Sequence, residues 1–141
     1  MAYFLRGSSV LLAVAGFGIA QAQISFKSYD VFQTGTTLGW SGGAADVWIA
    51  SGGPGGSGDG YLQVTSSGGF GMGSHLAFHN NEPRWIGNYA FANVYALEAW
   101  VRNEGAQTLS LRAVLFQTTT NRFTSKSAVM LGPFQGWTRC V

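Results

Sequence analysis

Alternation of apolar and polar side chains is the main pattern along this chain, and its period of two is typical of β-strands. The clearest case is the stretch ALEAWVRN over 96–103. Its aliphatic face consists of Leu97, Ala99 and Val101, and its polar face of Glu98, Trp100 and Arg102. We therefore expect a strand that buries the first face and exposes the second.

Similar short segments recur about every ten residues. We predict further strands over 26–32, 46–51, 61–66, 74–78, 109–116, 127–131 and 136–141. In the segment 61–66, Leu62 and Val64 should point inward. The short, glycine-bearing link EGAQT over 104–108 favours an antiparallel hairpin between 96–103 and 109–116. No stretch after residue 22 keeps a 3.6-residue apolar period for a dozen residues, so helices are not expected.

Strands with one hydrophobic face each cannot be buried singly, and packing in two layers solves that problem. The sequence predicts an all-β fold: a two-sheet antiparallel β-sandwich with jelly-roll connections. The long loops over 51–60, 66–73 and 79–90 suit crossings between the two sheets. Residues 23–141 are one domain's worth of chain.

The first 22 residues have the pattern of a signal peptide. Arg6 is followed by an apolar or small run over 10–19, and Ala20-Gln21-Ala22 fits the small-x-small cleavage rule. The run is about half of the ~20 residues that a membrane-spanning helix needs. We expect cleavage after Ala22, no membrane span, and a product that is secreted, periplasmic or attached to the cell surface.

Charge is sparse, which narrows the choice of partners. Residues 23–141 carry seven Lys or Arg and six Asp or Glu, without a basic stripe, so no nucleic-acid partner is expected. Cys140 is the single cysteine and cannot form an internal disulfide. It is expected to be a small, half-buried residue of the last strand, and an intermolecular disulfide is the alternative.

A glycine-rich run, SGGPGGSGDG over 51–60, precedes the strand at 61–66. Its Gly53-x-Gly55-x-x-Gly58 spacing matches the dinucleotide-binding fingerprint, but that motif requires a following helix whose N-terminus holds the pyrophosphate. Here a strand follows. The run is therefore expected to be a surface loop whose glycines adopt backbone angles that other residues avoid.

Several segments together resemble secreted bacterial β-sandwich modules, similar to carbohydrate-binding modules and laminin-type domains. They are YDVFQTGTTLGW, GGPGGSGDGYLQV, AWVRNEGAQTLSLRAVLF and a terminal GWTR, within about 26–141. The resemblance implies a structural calcium between the N-terminal acidic segment and the last strand, with Asp30 as the matching ligand and Asp59 as a neighbour. It also implies a further apolar strand after GWTR, whereas this chain stops at Val141, so the domain is expected to be truncated at its C-terminal strand.

Catalytic patterns are present only in fragments, so no enzyme activity is expected. Gly39-Trp40-Ser41-Gly42-Gly43 fits G-x-S-x-G, but a nucleophile elbow needs a strand, a strained turn and a helix. His75 and His79, with Glu82 nearby, would be ~13 Å apart on a strand, too far for one metal ion. A glycoside hydrolase needs two facing carboxylates ~5–9 Å apart, and no second acid accompanies Glu98 on its strand.

The best candidate site is the polar face of 96–103 together with its neighbour. Glu98, Trp100 and Arg102 would share a face with Arg112 of the predicted hairpin partner. An indole ring can stack on a sugar while an arginine fork binds its hydroxyls. The alternative is a plain Glu98–Arg112 ion pair beside a covered Trp100. Loop aromatics, Phe70, Trp85 and Tyr89, form a second candidate rim.

We therefore expect a non-catalytic exported module that binds carbohydrate or another surface polymer. The alternative is a structural or adhesive domain of a cell envelope or extracellular matrix that has no small ligand. A glycoside hydrolase is a distant third.

Overall fold

A computed structural model describes residues 2–7, 23–42, 45–66, 68, 76–116 and 121–141. In these residues the chain is all-β, as predicted, and every strand pair is antiparallel. One 3₁₀ turn, Pro83–Trp85, is the only helical element that they contain. No helix within the described ranges is long and apolar enough to cross a membrane.

Eleven short strands make up the described fold. They are β1 (Ala2–Gly7), β2 (Trp40–Gly42), β3 (Ala45–Ile49), β4 (Tyr61–Thr65), β5 (Phe78–Asn80), β6 (Leu97–Arg102), β7 (Leu109–Leu111), β8 (Val114–Phe116), β9 (Arg122–Thr124), β10 (Val129–Leu131) and β11 (Thr138–Cys140).

The strands form one three-stranded sheet and four two-stranded ribbons. The order in the larger sheet is β1-β6-β11, and the ribbons are β2-β5, β3-β4, β7-β10 and β8-β9. This arrangement fits a β-sandwich that is divided into small sheets. β1 lies within the predicted signal peptide, whose residues 8–22 fall outside the described ranges. Cleavage after Ala22 would leave β6 paired with β11 alone.

The main core contains inward side chains from several of these sheets. Its fully buried members are Phe32, Leu62, Val64, Val101 and Leu131. The inward positions predicted for β4 and β6 are therefore confirmed at Leu62, Val64 and Val101, and Ala99 packs against the same cluster. A second cluster, Ile24, Trp85 and Ala92, lies beneath the 3₁₀ turn and its flanking loops.

Strand pairing differs from the sequence prediction in one important respect. The hairpin predicted between 96–103 and 109–116 is wrong: β6 pairs with β11, and β7 pairs with β10. The predicted strand 109–116 is also interrupted at 112–113, which allows β7 and β8 to pair with different neighbours. The backbone hydrogen bonds of β6 and β7 are therefore made with strands that are more distant in the sequence.

Two other segments depart from their predicted conformation. The stretch 26–32 forms no named strand, since Lys27 has a positive φ of 65° and the Ser28 N–H closes a turn onto the Ser25 carbonyl. The strand predicted over 46–51 ends at Ile49, as β3, and within it Trp48 packs against the core while Val47 is 51% exposed.

The Asp59 carboxylate stabilises the glycine-rich loop over 51–60 through hydrogen bonds. Its Oδ2 accepts a hydrogen bond from the Gly55 N–H at 2.6 Å, and its Oδ1 accepts one from Gln33 Nε2 at 2.8 Å. A Cβ atom at Gly53 would lie 2.6 Å from the same carboxylate. The loop is thus folded around an internal anion, and a strand follows it, as predicted.

Gly60 closes this loop at a place with no room for a side chain. A Cβ atom there would lie within hard-contact distance of the Phe32 carbonyl oxygen, at 1.9 Å. A Cβ atom at Gly136, in contrast, would have no heavy atom within 4 Å outside its chain neighbours.

We predict that Gly60→Ala lowers the free energy of unfolding by about 3 kcal/mol, because two backbone segments must separate to admit the methyl group. Gly136→Ala is the matched control and should change it by less than about 1 kcal/mol. Urea unfolding measures both. Equal effects of the two substitutions would contradict the packing described here.

Candidate functional site

The outer face of β6 carries the residues that the sequence analysis selected. Glu98, Trp100 and Arg102 alternate with core-facing neighbours, so all three project from the side of the sheet opposite Val101. β6 is the central strand of its sheet, so Trp100 lies between Phe4 of β1 and Arg139 of β11 in the strand register. We call Glu98, Trp100 and Arg139 the β6 platform.

Two charged groups border Trp100 in this platform. Arg139 Nη2 donates to Glu98 Oε2 at 2.8 Å. That hydrogen bond and the attraction of the Glu98 charge raise the pKa of the Arg139 guanidinium. Trp100 is half-buried, and its indole makes no hydrogen bond or ring contact with the described residues of 23–141. The platform therefore combines an ion pair with an adjacent indole.

Arg102 has a different environment, although it belongs to the same face. Its guanidinium lies over the rings of Tyr61 and Trp137, at 5.0 and 5.1 Å from their centroids. Its Nη2 donates to the Tyr61 hydroxyl at 2.9 Å and forms an ion pair with Glu104. Trp137 in turn donates its indole N–H to the Gly52 carbonyl. Arg102 thus links β6 to the glycine-rich loop.

Arg112 does not join the platform. Since β7 is not a neighbour of β6, the predicted cross-strand pairing of Glu98 with Arg112 is wrong, and Arg139 takes that place. Arg112 Nη1 instead donates to the carbonyls of Ser125 and Lys126, at 2.6 and 3.0 Å. It stabilises the approach to β10 after the β8-β9 ribbon.

The second predicted rim is not assembled in the described residues. Trp85 is 7% exposed and belongs to a core cluster, so it cannot form a surface rim. Tyr89 donates its hydroxyl to the Trp85 carbonyl at 2.7 Å, and burial raises the pKa of its phenol. Phe70 lies outside the described ranges.

An apolar groove of about 330 Å³ opens beside the start of β6. Its walls come from the loop before β6, from the β8-β9 ribbon and from the end of the chain. They include Tyr89, Tyr95, Leu97, Leu115, Phe123 and Val141. None of the described residues that line it is charged. Tyr95 and Phe123 are 88% and 64% exposed, which is unusual for large apolar side chains.

Asp30 is buried in a set of nitrogen donors. It is 3% exposed, and its Oδ2 accepts the indole N–H groups of Trp40 at 2.7 Å and of Trp85 at 2.9 Å. Arg84 Nε lies 2.9 Å from Oδ1, but its N–H is not aimed at that oxygen, so the contact is an ion pair rather than an aligned hydrogen bond. Arg84 Nη2 also donates to the Leu38 carbonyl.

These donors do not fit the calcium ion that the resemblance implies. Calcium takes six to eight oxygen ligands, and indole and guanidinium groups have no lone pair to offer. Asp59 is likewise engaged by Gln33 and Gly55. Among the described residues there is no group of three or more His, Cys, Asp or Glu side chains that could hold a metal. Calcium stays a prediction of the resemblance.

The fragments of catalytic patterns separate in the fold. Ser41 lies in the middle of β2, directly opposite His79 of β5, and not on a turn between a strand and a helix. The G-x-S-x-G match is therefore not a nucleophile elbow in its described part. His75 lies outside the described ranges. Cys140 is half-buried opposite Ala99 in β11, and burial raises the pKa of its thiol.

Sequence reasoning missed Arg139 as a platform residue and Arg84 as the partner of Asp30. Alternation in GWTRCV could have placed Arg139 on an outer face, but nothing in the sequence indicates that β11 rather than β7 pairs with β6. Arg84 lies 54 positions after Asp30 and in a loop, where no periodic pattern links the two. Both omissions are failures to predict long-range pairing.

Asp46 is an ionisable group on the core side of β3, opposite Val64. Its Oδ1 is buried and has no hydrogen-bond partner in the described part of the chain. Desolvation raises the pKa of this carboxyl above its ordinary value of 3.8, while the Gly42 N–H and His79 act in the opposite direction. The folded state therefore holds the Asp46 proton more tightly than the unfolded chain does.

We predict that Asp46→Asn stabilises the protein at pH 7 and that the gain disappears as the pH falls below 3.8, where the carboxyl is protonated in both states. Desolvation of the ionised Asp46 carboxylate destabilises the folded state in full only at pH values above the raised pKa. Thermal unfolding between pH 3 and 8 measures the effect. Glu82→Gln, at an exposed acid, is the control and should show no such gain. A destabilised Asp46→Asn at pH 7 would contradict the assignment.

Comparison with known proteins gives no match to this chain among family models, curated proteins or solved structures. Its function therefore has to be inferred from the geometry of its own described residues.

Proposed function

We propose that this chain is a non-catalytic exported module that binds carbohydrate or another surface polymer, and that the polymer lies across the β6 platform. Trp100 supplies the stacking ring. Glu98 and Arg139 supply hydrogen-bond acceptors and donors on one side of it. The arrangement matches the way in which aromatic and charged side chains combine at sugar-binding surfaces.

The observation that carries this proposal is the state of Trp100. Its indole projects from the outer face of a sheet and has no hydrogen bond or ring contact with the described residues of 23–141, and the Arg139–Glu98 ion pair lies beside it. A ligand that stacks on Trp100 would meet a charged pair that is already formed. Such preorganisation reduces the entropic cost of binding.

The charge of the platform bears on the kind of polymer. Glu98 and Arg139 form a pair at 2.8 Å, so their charges cancel over a short distance. A pair of this kind offers hydrogen-bond donors and acceptors while it adds little net charge of its own. It favours a neutral polysaccharide over a strongly acidic one, since an acidic polymer would need an excess of positive charge.

Arg102 and Arg112 have smaller parts in this proposal than the sequence suggested. Arg102 is held between Tyr61 and Trp137, and Arg112 donates to two backbone carbonyls. Replacing either arginine would disturb internal contacts. The side chains that test binding most directly are therefore Trp100 and Arg139.

We predict that Trp100→Ala weakens binding to a neutral polysaccharide by about tenfold or more, because the stacking surface is lost. A glycan array on the purified protein selects the polymer, and affinity electrophoresis in gels that contain it measures the loss. Phe134→Ala is the matched control, since Phe134 is 72% exposed in the loop before β11 and is not a platform residue. Equal retention of both variants would refute the platform.

A structural or adhesive domain is the second candidate function, and the apolar groove beside β6 favours it. Exposed apolar surface of this kind is common where proteins associate. Tyr95 and Phe123 are its most exposed aromatic side chains. On this alternative the protein contacts other copies or other envelope proteins through the groove and has no glycan ligand.

We predict on this alternative that the native protein self-associates at high concentration and that the double variant Tyr95→Ser, Phe123→Ser is monomeric. Removal of two exposed rings takes away apolar area without disturbing the core. Sedimentation equilibrium over a hundredfold range of concentration measures the state. A native protein that is monomeric throughout, together with a positive glycan array, would favour the binding module.

A further inference from the structure

The surroundings of Asp30 point beyond the proposed function, to the source of the fold's stability. We infer that Arg84 takes the place of a metal ion at Asp30, so that the protein is held together there by its own guanidinium and two indoles and is independent of calcium. The inference does not depend on what the β6 platform binds.

Both oxygens of the Asp30 carboxylate already have partners inside the protein. Trp40 and Trp85 donate to the same oxygen, Oδ2, from two different parts of the chain. Oδ1 faces Arg84. A cation that bound Asp30 would have to displace these donors, and the indole N–H groups of buried Trp85 and half-buried Trp40 would then lose their partner. Loss of a buried hydrogen-bond partner is costly.

Arg84 also balances the negative charge of Asp30. The carboxylate and the guanidinium already neutralise each other at 2.9 Å. A divalent ion at the same carboxylate would stand a few ångströms from the positive charge of Arg84, and like charges repel at that distance even though the Arg84 side chain is 36% exposed. The Arg84 guanidinium therefore neutralises the Asp30 carboxylate, as a bound metal ion would otherwise do.

Arg84 also connects segments that are distant in the sequence. Arg84 Nη2 donates to the Leu38 carbonyl at 2.6 Å, and Asn80 Nδ2 donates to the same oxygen at 3.0 Å. Through these contacts one guanidinium links the N-terminal segment at Asp30, the turn before β2 and the 3₁₀ turn Pro83–Trp85. A structural metal ion would connect segments in the same way.

Thermal unfolding of the full chain tests the inference, with excess EGTA in one series and millimolar CaCl₂ in the other. We expect the native protein to have the same Tm in both, within about 1 °C. A higher Tm in calcium, by several degrees and saturating on titration, would overturn the inference.

Substitutions then test the role of Arg84. Arg84→Met should lower the Tm by about 10 °C or more in EGTA, because it leaves a buried carboxylate without its counter-charge. Calcium should not restore it, since the neighbouring donors supply no ligands. Arg122→Met, at an exposed arginine of β9, is the matched control and should shift the Tm by no more than a few degrees. A native-like Tm for Arg84→Met, or its recovery in calcium, would overturn the inference.

A double substitution separates the loss of charge balance from a simple loss of packing. Asp30→Asn combined with Arg84→Met removes both charges, while the amide oxygen can still accept an indole N–H. We expect the double variant to recover most of the Tm lost in Arg84→Met. If Arg84→Met alone does not fold, we still expect the double variant to fold. A double variant no more stable than Arg84→Met would overturn the inference.

Discussion

A buried carboxylate imposes the strongest single constraint on this structure. An ionised group at 3% exposure is tolerated only when partners replace the water it has lost. Asp30 obtains them from Trp40, Trp85 and Arg84. Their positions follow from that requirement: the two indoles must converge on one oxygen, which brings the 3₁₀ turn against the entry to β2.

The side chains around Asp30 also contact other parts of the fold. Trp40 also contacts the ring of Phe78, with centroids 5.3 Å apart, and so connects the carboxylate to the β2-β5 ribbon. At the other end of the fold, Arg102 connects β6 to the loop over 51–60. A chain with few charges thus uses its arginines largely as internal links between loops and strands. Trp100 is the outward aromatic side chain of β6.

The candidate site was only partly predictable for the same reason. Alternation along 96–103 correctly placed Glu98 and Trp100 on an outer face, because the direction of side chains in a strand depends on local backbone geometry. The partner of Glu98 depends on which strand lies next to β6. Arg112 was favoured by a short connecting loop, yet Arg139 of β11 occupies the position. Loop length is a weak constraint when a distant strand can satisfy the same backbone groups.

The sequence by itself determined the all-β class, the inward faces of β4 and β6, and the glycine-rich loop that leads into β4. Each follows from interactions between residues close together in the chain. Only the tertiary structure decided the pairing of β6 with β11, the burial of Trp85, and the meeting of Asp30 with an indole 55 residues away. Those outcomes depend on how burial and charge neutralisation are satisfied over the whole molecule, and no local pattern records that balance.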